Sequence, residues 1–283
     1  MDASKIGIIG AGTMGSGIAQ VLAISGIDVV LSDVANAQLE RATQAVAASL
    51  DRLVKKEKLT AEQKARALEH IRTSAELSAL KDCPLVVEAA TENLELKLKI
   101  FAQLDAMLPA NSVIATNTSS ISITRLAGAT KRPGKVIGMH FFNPVPVMAL
   151  VELIRALQTS DETFAAAEAL TKKIGKTPVQ VRNSPGFVVN RLLCPMINEA
   201  VFALAEGLAT AEQIDQAMKL GANHPIGPLA LADLIGLDVQ LAVMQVLYEG
   251  FKDSKYRPAP LLVEMVEAGY LGRKAKRGFF RYD

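Results

Sequence analysis

Apolar positions recur along this chain with two different periods, and the change between them divides it. In the first half, short β-branched runs alternate with longer stretches whose apolar residues return every three or four positions. The first pattern reads as buried strands and the second as amphipathic helices. Strands are therefore predicted at Lys5–Ile9, Asp28–Ser32, Pro84–Glu88, Val113–Thr116 and Lys135–His140, with another carrying Val151 and Glu152 and a last one at Thr177–Val181. Helices are predicted at Met14–Ser25, Ala35–Lys56, Ala61–Glu69, Leu94–Met107 behind an Asn93 cap, and Asp161–Gly175. From Asn183 onward the spacing is almost wholly helical. A helix through Asn190, Arg191 and Leu192 meets Pro195, which should kink it, and further helices are predicted at Thr210–Leu220, Leu229–Tyr248 and Pro260–Glu267.

Strands that alternate with helices build a parallel sheet covered on both faces. The predicted fold is thus α/β: a Rossmann-type, doubly wound, mostly parallel sheet over residues 1–183, followed by an all-α C-terminal domain over 184–283. The junction is marked by Ser184-Pro185-Gly186-Phe187, where Ser184 can cap and Pro185 suits a first helical position. A helical unit this rich in Ala, Leu, Met and Val is expected to bury part of its surface against a second copy, as a homodimer.

Composition narrows the class. The chain has 283 residues, half of them hydrophobic and 21% charged, with a net charge of +2. That length suits two domains. Near-neutrality, 5% aromatics and no Trp argue against nucleic-acid binding. Cys83 and Cys194 are too few for a disulfide framework or a structural zinc site, so no metal is expected and both thiols are read as inert. The stretch Ile6–Ile27 is uncharged and long enough to span a bilayer, but its glycines fit a strand, turn and helix better. Nothing resembles a secretory or transit signal, and a cytoplasmic protein with no membrane partner is expected.

Candidate chemistry begins with the first strand. It feeds Gly10-Ala11-Gly12-Thr13-Met14-Gly15, a G-x-G-x-x-G in the context that gives it meaning. The first Gly allows the tight turn, the second lets a pyrophosphate approach, and the third lets the helix pack on the strand. Asp33 ends the second strand eighteen positions after Gly15, where an acid binds the adenosine ribose hydroxyls. Its charge repels a 2′-phosphate and no Arg follows it, so NAD is favoured over NADP.

The remaining polar tips gather at the carboxyl ends of later strands, where open α/β sheets bind ligands. Ser119 is either a hydroxyl donor or the cap of a helix beginning at Ile121. His140 ends a strand, and Glu152 follows beyond Pro144 and Pro146, which forbid a continuous helix between them. The pair is either a proton carrier with the carboxylate that fixes its tautomer, or a core histidine and a surface glutamate. Arg52, Lys55, Lys56 and Lys58 form a basic cluster that local sequence reads as a solvated helix face. His70 and His224 are read as structural.

Seven segments then identify the chain, by resemblance, with one family: GIIGAGTMGSGIA, VVEAATENLELK, ATNTSSISIT, GMHFFNPVPVMALVEL, TPVQVRNSPGFVVNRLL, AMKLGANHPIGPL and the tail GRKAKRGFFRY. Together they resemble the stand-alone L-3-hydroxyacyl-CoA dehydrogenases over essentially the full length. The resemblance implies oxidation of a short (S)-3-hydroxyacyl-CoA by NAD, with acetoacetyl-CoA as the substrate of the reverse direction. It assigns the catalytic base to His140, its orientation to Glu152, and contact with the reacting oxygen to Ser119 and Asn190. Cofactor contacts fall on Glu92, Lys97, Asn143 and Lys274, and coenzyme A contacts on Ser49 and Lys56, which overrides the bland reading of the cluster for Lys56. A β-hydroxyacid dehydrogenase acting on a free acid would use a lysine as its base, whereas the base here is His140 with Glu152, and a non-catalytic NAD-binding protein would need none of Ser119, His140, Glu152 and Asn190.

Overall fold

Each β-branched run satisfies its backbone only against a neighbouring strand, and each amphipathic helix hides its apolar stripe only on that sheet. In a computed structural model that describes residues 4–283, the result is one sheet. Its strands are β1 (Lys5–Ile9), β2 (Asp28–Ser32), β3 (Ile71–Ser74), β4 (Leu85–Glu88), β5 (Val113–Thr116), β6 (Val136–Phe141), β7 (Leu150–Arg155) and β8 (Thr177–Arg182). They lie in the order β3-β2-β1-β4-β5-β6-β7-β8. Every pairing is parallel except β6 with β7, so the mostly parallel sheet expected from the pattern is present. The strand order reverses at β1, with β2 on one side and β4 on the other, which opens a crevice at their carboxyl ends.

Helices α1 (Thr13–Ile24), α2 (Asn36–Lys55), α3 (Ala61–Glu69), α4 (Leu94–Met107), α5 (Ile123–Ala127) and α6 (Asp161–Lys173) belong to the same unit. Its core joins Ile6, Leu31, Val87 and Met139 of the strands to Ile18 and Leu22 of α1. The chain separates into two compact units at Asn183/Ser184. The second is helical: α7 (Val189–Ala205), α8 (Ala211–Gly221), α9 (Pro228–Ile235), α10 (Leu237–Phe251) and α11 (Pro260–Glu267). Ile197, Val201, Leu229, Leu237 and Leu262 form its centre.

The structure departs from the pattern in four places. No strand was predicted between Glu69 and Pro84, yet Ile71–Ser74 pairs with β2 as an edge strand. Only half-buried and largely polar, it lacks the apolar run of a central strand. The helix predicted over Leu229–Tyr248 is two helices bent by 99°. Gly236 breaks it at φ 104°, a conformation that side chains other than glycine rarely adopt. The cap of α5 is Ser122, whose hydroxyl accepts the Arg125 N–H, so Ser119 is not a helix cap. Finally, α7 begins only at Val189, behind Val188 and with no side-chain cap, so Ser184 does not cap it and Pro185 is not its first residue.

Candidate active site

The turn from β1 into α1 is dictated by its glycines. Gly10 has φ 95°, and a Cβ there would lie 2.7 Å from the carbonyl oxygen of Ala89. A Cβ on Gly15 would stand 1.8 Å from the Gly10 carbonyl oxygen. Neither position can carry a side chain. Gly12 is different, because a Cβ there would meet nothing within 4 Å. It caps α1 with no side chain to take the first helical N–H groups, which are the donors a pyrophosphate takes. Ala11 is buried, Met14 partly buried and Thr13 exposed.

Asp33 stands beside this loop. Its Oδ2 accepts the Ala11 N–H at 2.8 Å and its Oδ1 the Ala35 N–H at 3.0 Å, so the carboxylate is fixed against the turn. A cavity of about 650 Å³ opens here, lined by Gly10, Gly12, Asp33, Ala90, Leu96 and Ile100 among others. Its mixture of apolar walls, the carboxylates of Asp33 and Glu76, and open amides fits the adenosine half of a dinucleotide.

The ends of β4 and β5 carry a second cluster. Glu88 is wholly buried and receives the Lys97 ammonium at 2.6 Å, the Ala90 N–H at 2.7 Å and the Thr116 hydroxyl at 2.7 Å. Lys97 is 1% exposed and also donates to the Ala90 carbonyl at 3.1 Å. An ion pair this deep is tolerated only when hydrogen bonds close around it, as they do here. Lys97 therefore lies beneath the 89–92 loop and shapes it. Its ammonium also approaches Glu92 at 3.5 Å.

Glu92 organises the serine loop after β5. One carboxylate oxygen accepts the Thr118 hydroxyl at 2.5 Å, the Ser120 hydroxyl at 2.8 Å, the Ser119 N–H at 2.9 Å, the Ser120 N–H at 3.1 Å and the Ser119 hydroxyl at 3.3 Å. Burial works against the charged form, but Lys97 and these donors outweigh it and hold the carboxyl below its usual range. Ser119, predicted as a hydroxyl donor, is thereby placed at the carboxyl end of β5.

His140 and Glu152 sit directly opposite one another in the antiparallel β6–β7 ladder. Opposite residues share a face of the sheet, which is why twelve positions of sequence bring these two side chains together. His140 Nδ1 lies 2.8 Å from Glu152 Oε2, with the residues 6% and 1% exposed. The Glu152 position is thus a buried partner and not a surface glutamate. The Phe142 ring lies 4.5 Å from the imidazole, centre to centre. Asn117 ties the neighbouring strand end to this one, its Oδ1 accepting the Phe141 N–H at 2.9 Å. Asn143 is exposed on the turn that follows.

Other predicted residues lie elsewhere. Ser49 is partly buried on α2, and Lys56 is exposed at its C-terminal end beside the equally exposed Arg52, Lys55 and Lys58. Asn190 occupies the first turn of α7. Lys274, also in the second unit, is paired with Asp238, its ammonium 2.5 and 2.6 Å from the two carboxylate oxygens. His70 pairs with Asp28 at the amino end of β2, the edge opposite these tips. Sequence reasoning gave no role to Glu88 or Asn117. Their signal was their place at strand ends, but their partners are visible only once the sheet forms. Among the described residues there is no cluster of three or more His, Cys, Asp or Glu able to hold a metal ion. No single helix among them is long and apolar enough to cross a membrane, although the bent pair α9 and α10 passes on length and composition.

The family model for the NAD binding domain of 3-hydroxyacyl-CoA dehydrogenase matches residues 5–184, and that for the C-terminal domain of the same enzymes matches 186–282. A 3-hydroxybutyryl-CoA dehydrogenase of Bradyrhizobium diazoefficiens is 54% identical over 278 residues, covering 98% of this chain and 95% of that one. One of Clostridioides difficile is 52% identical, covering 99% of each. The crystal structure of the (S)-3-hydroxybutyryl-CoA dehydrogenase of Ralstonia eutropha is similar with a TM-score of 0.97 and 62% identity over 100% of both chains.

Proposed function

Because the chain belongs to the 3-hydroxyacyl-CoA dehydrogenase family, we propose that it is an NAD-dependent oxidoreductase interconverting (S)-3-hydroxybutyryl-CoA and acetoacetyl-CoA. The observation that carries this reading is the buried His140–Glu152 pair at the carboxyl edge of the sheet, one strand away from the Ser119 loop. When bound, NAD supplies the hydride acceptor, and the protein supplies alignment, proton transfer and charge stabilisation.

The glycine loop and the first N–H groups of α1 hold the pyrophosphate. Asp33 takes the adenosine ribose and disfavours a 2′-phosphate. Glu92, Lys97, Asn143 and Lys274 serve the nicotinamide side, Lys97 by shaping the 89–92 loop from beneath. His140 takes the proton of the 3-hydroxyl and returns it in the reverse direction. Glu152, on Nδ1, fixes the tautomer and stabilises the imidazolium as it forms. Proton transfer of this kind contributes about 10²–10⁴-fold, or roughly 3–5 kcal/mol. Ser119 and Asn190 donate to the oxygen as it gains charge, and loss of one such donor typically costs about 3–4 kcal/mol. Ser49 and Lys56 on α2 contact the coenzyme A arm. The helical unit forms a homodimer, and the enzyme works in the cytoplasm.

Absorbance of NADH at saturating acetoacetyl-CoA, beside free acetoacetate, tests this reading. Consumption with the thioester and none with the free acid is expected. Turnover of the free acid alone would make it a β-hydroxyacid dehydrogenase, and NADH binding with no turnover of either would make it a binding protein.

A further inference from the structure

Among the described residues, the first unit buries two lysines, Lys97 and Lys176. Lys97 has Glu88 as its counter-ion. Lys176 has only main-chain partners: its ammonium donates to the carbonyls of Val145 at 2.6 Å and Met148 at 2.7 Å. Burial pushes this ammonium below the usual lysine range. A buried cation without a carboxylate is costly, and an apolar residue of the same length would cost less.

Both carbonyls belong to one segment, the turn of residues 142–149 that leaves β6 after His140 and carries Asn143. The same turn is held from a second side. Val145 is 2% exposed and lies against α1, where a Cβ on Gly17 would come within 2.9 Å of the Val145 Cβ. Lys176, just before β8, thus presses the turn onto the helix that begins at the glycine loop.

We propose that Lys176 is a positioning residue: through the Val145 and Met148 carbonyls it fixes the turn after His140 against α1, and so sets the spacing between the cofactor-binding helix and the proton-carrying strand. This rests on the dehydrogenase reading above. The His140–Glu152 contact itself is set by the β6–β7 ladder. Loosening the turn should therefore disturb hydride alignment without altering that pair.

Lys176→Met removes the donors at similar length, and Lys176→Arg restores them. With NADH and acetoacetyl-CoA, the Met variant is expected to stay folded by circular dichroism, to lose about 10–100-fold in kcat and to raise KM for NADH. NADH deuterated at the transferred hydrogen should give a larger isotope effect than in the wild type, and the midpoint of the pH profile should not move. The Arg variant should recover most of the loss. Lys176→Gln is read by the same criteria if the Met variant does not fold. Wild-type kcat, KM and isotope effect in the Met variant would overturn the proposal. So would a shifted pH midpoint, which would route the effect through His140, or a loss matched by the fraction of sites that bind NADH, which would make Lys176 merely structural. A wild type inactive with acetoacetyl-CoA would remove the dehydrogenase reading and this inference together; an active wild type with an unaffected Met variant would remove this inference alone.

Discussion

A carboxylate that gathers donors from a loop does two things at once: it orders the loop and it becomes harder to protonate. Glu92 does both, collecting the hydroxyls and amides of residues 118–120 beside the Lys97 ammonium. Its folded pKa lies below the ordinary 4.5. The stabilisation it gives is therefore present above that value and is lost as pH falls through the lowered one. Glu92→Gln should lower the unfolding free energy at pH 7, and the difference from wild type should shrink in denaturant titrations carried down towards pH 3. Asp33 is legible at the same scale from its place at the end of β2 alone. Asp33→Ala should lose discrimination between NADH and NADPH, measured as the ratio of kcat/KM values; an unchanged ratio would remove Asp33 from the ribose site. Glu152 was readable as a candidate, but its burial was not. That comes from a strand partner on each side, β6 and β8. Glu88, Asn117 and Lys176 escaped the sequence for a related reason: their partners are other strands, loops or carbonyls, and carry no local pattern.

At the scale of elements, periodicity located most strands and helices because each must bury one face. It failed where burial is partial or where the backbone alone decides. β3 is a short polar edge, and the α9–α10 corner is an apolar run whose only signal is Gly236. The start of α9 shows what the pattern cannot hold. Asp215, from α8, is 6% exposed and accepts the Leu229 and Ala230 N–H groups at 2.8 and 2.9 Å, capping a helix it does not belong to. Gly227 leaves room for it, since a Cβ there would lie 2.2 Å from the Asp215 carboxyl carbon. Asp215→Ala should cost about 2 kcal/mol, since losing this cap leaves two helix N–H groups without an acceptor, read as a lower Tm with no change in NADH binding.

For the whole molecule, the chain divides into two compact units at Asn183/Ser184. Within the first unit, the sheet order brings to one edge the loop after β1, the acid after β2, the tips of β4 and β5 and the histidine of β6. These residues are scattered through sequence and adjacent only through topology. Proton transfer depends on the last of them. His140→Gln, assayed for NADH oxidation by acetoacetyl-CoA with NADH binding followed by fluorescence, tests it most directly. A fall in kcat of at least about 10²-fold, with NADH affinity held near that of the wild type, is the predicted result. A variant that turns over at the wild-type rate would show that the proton travels by another group.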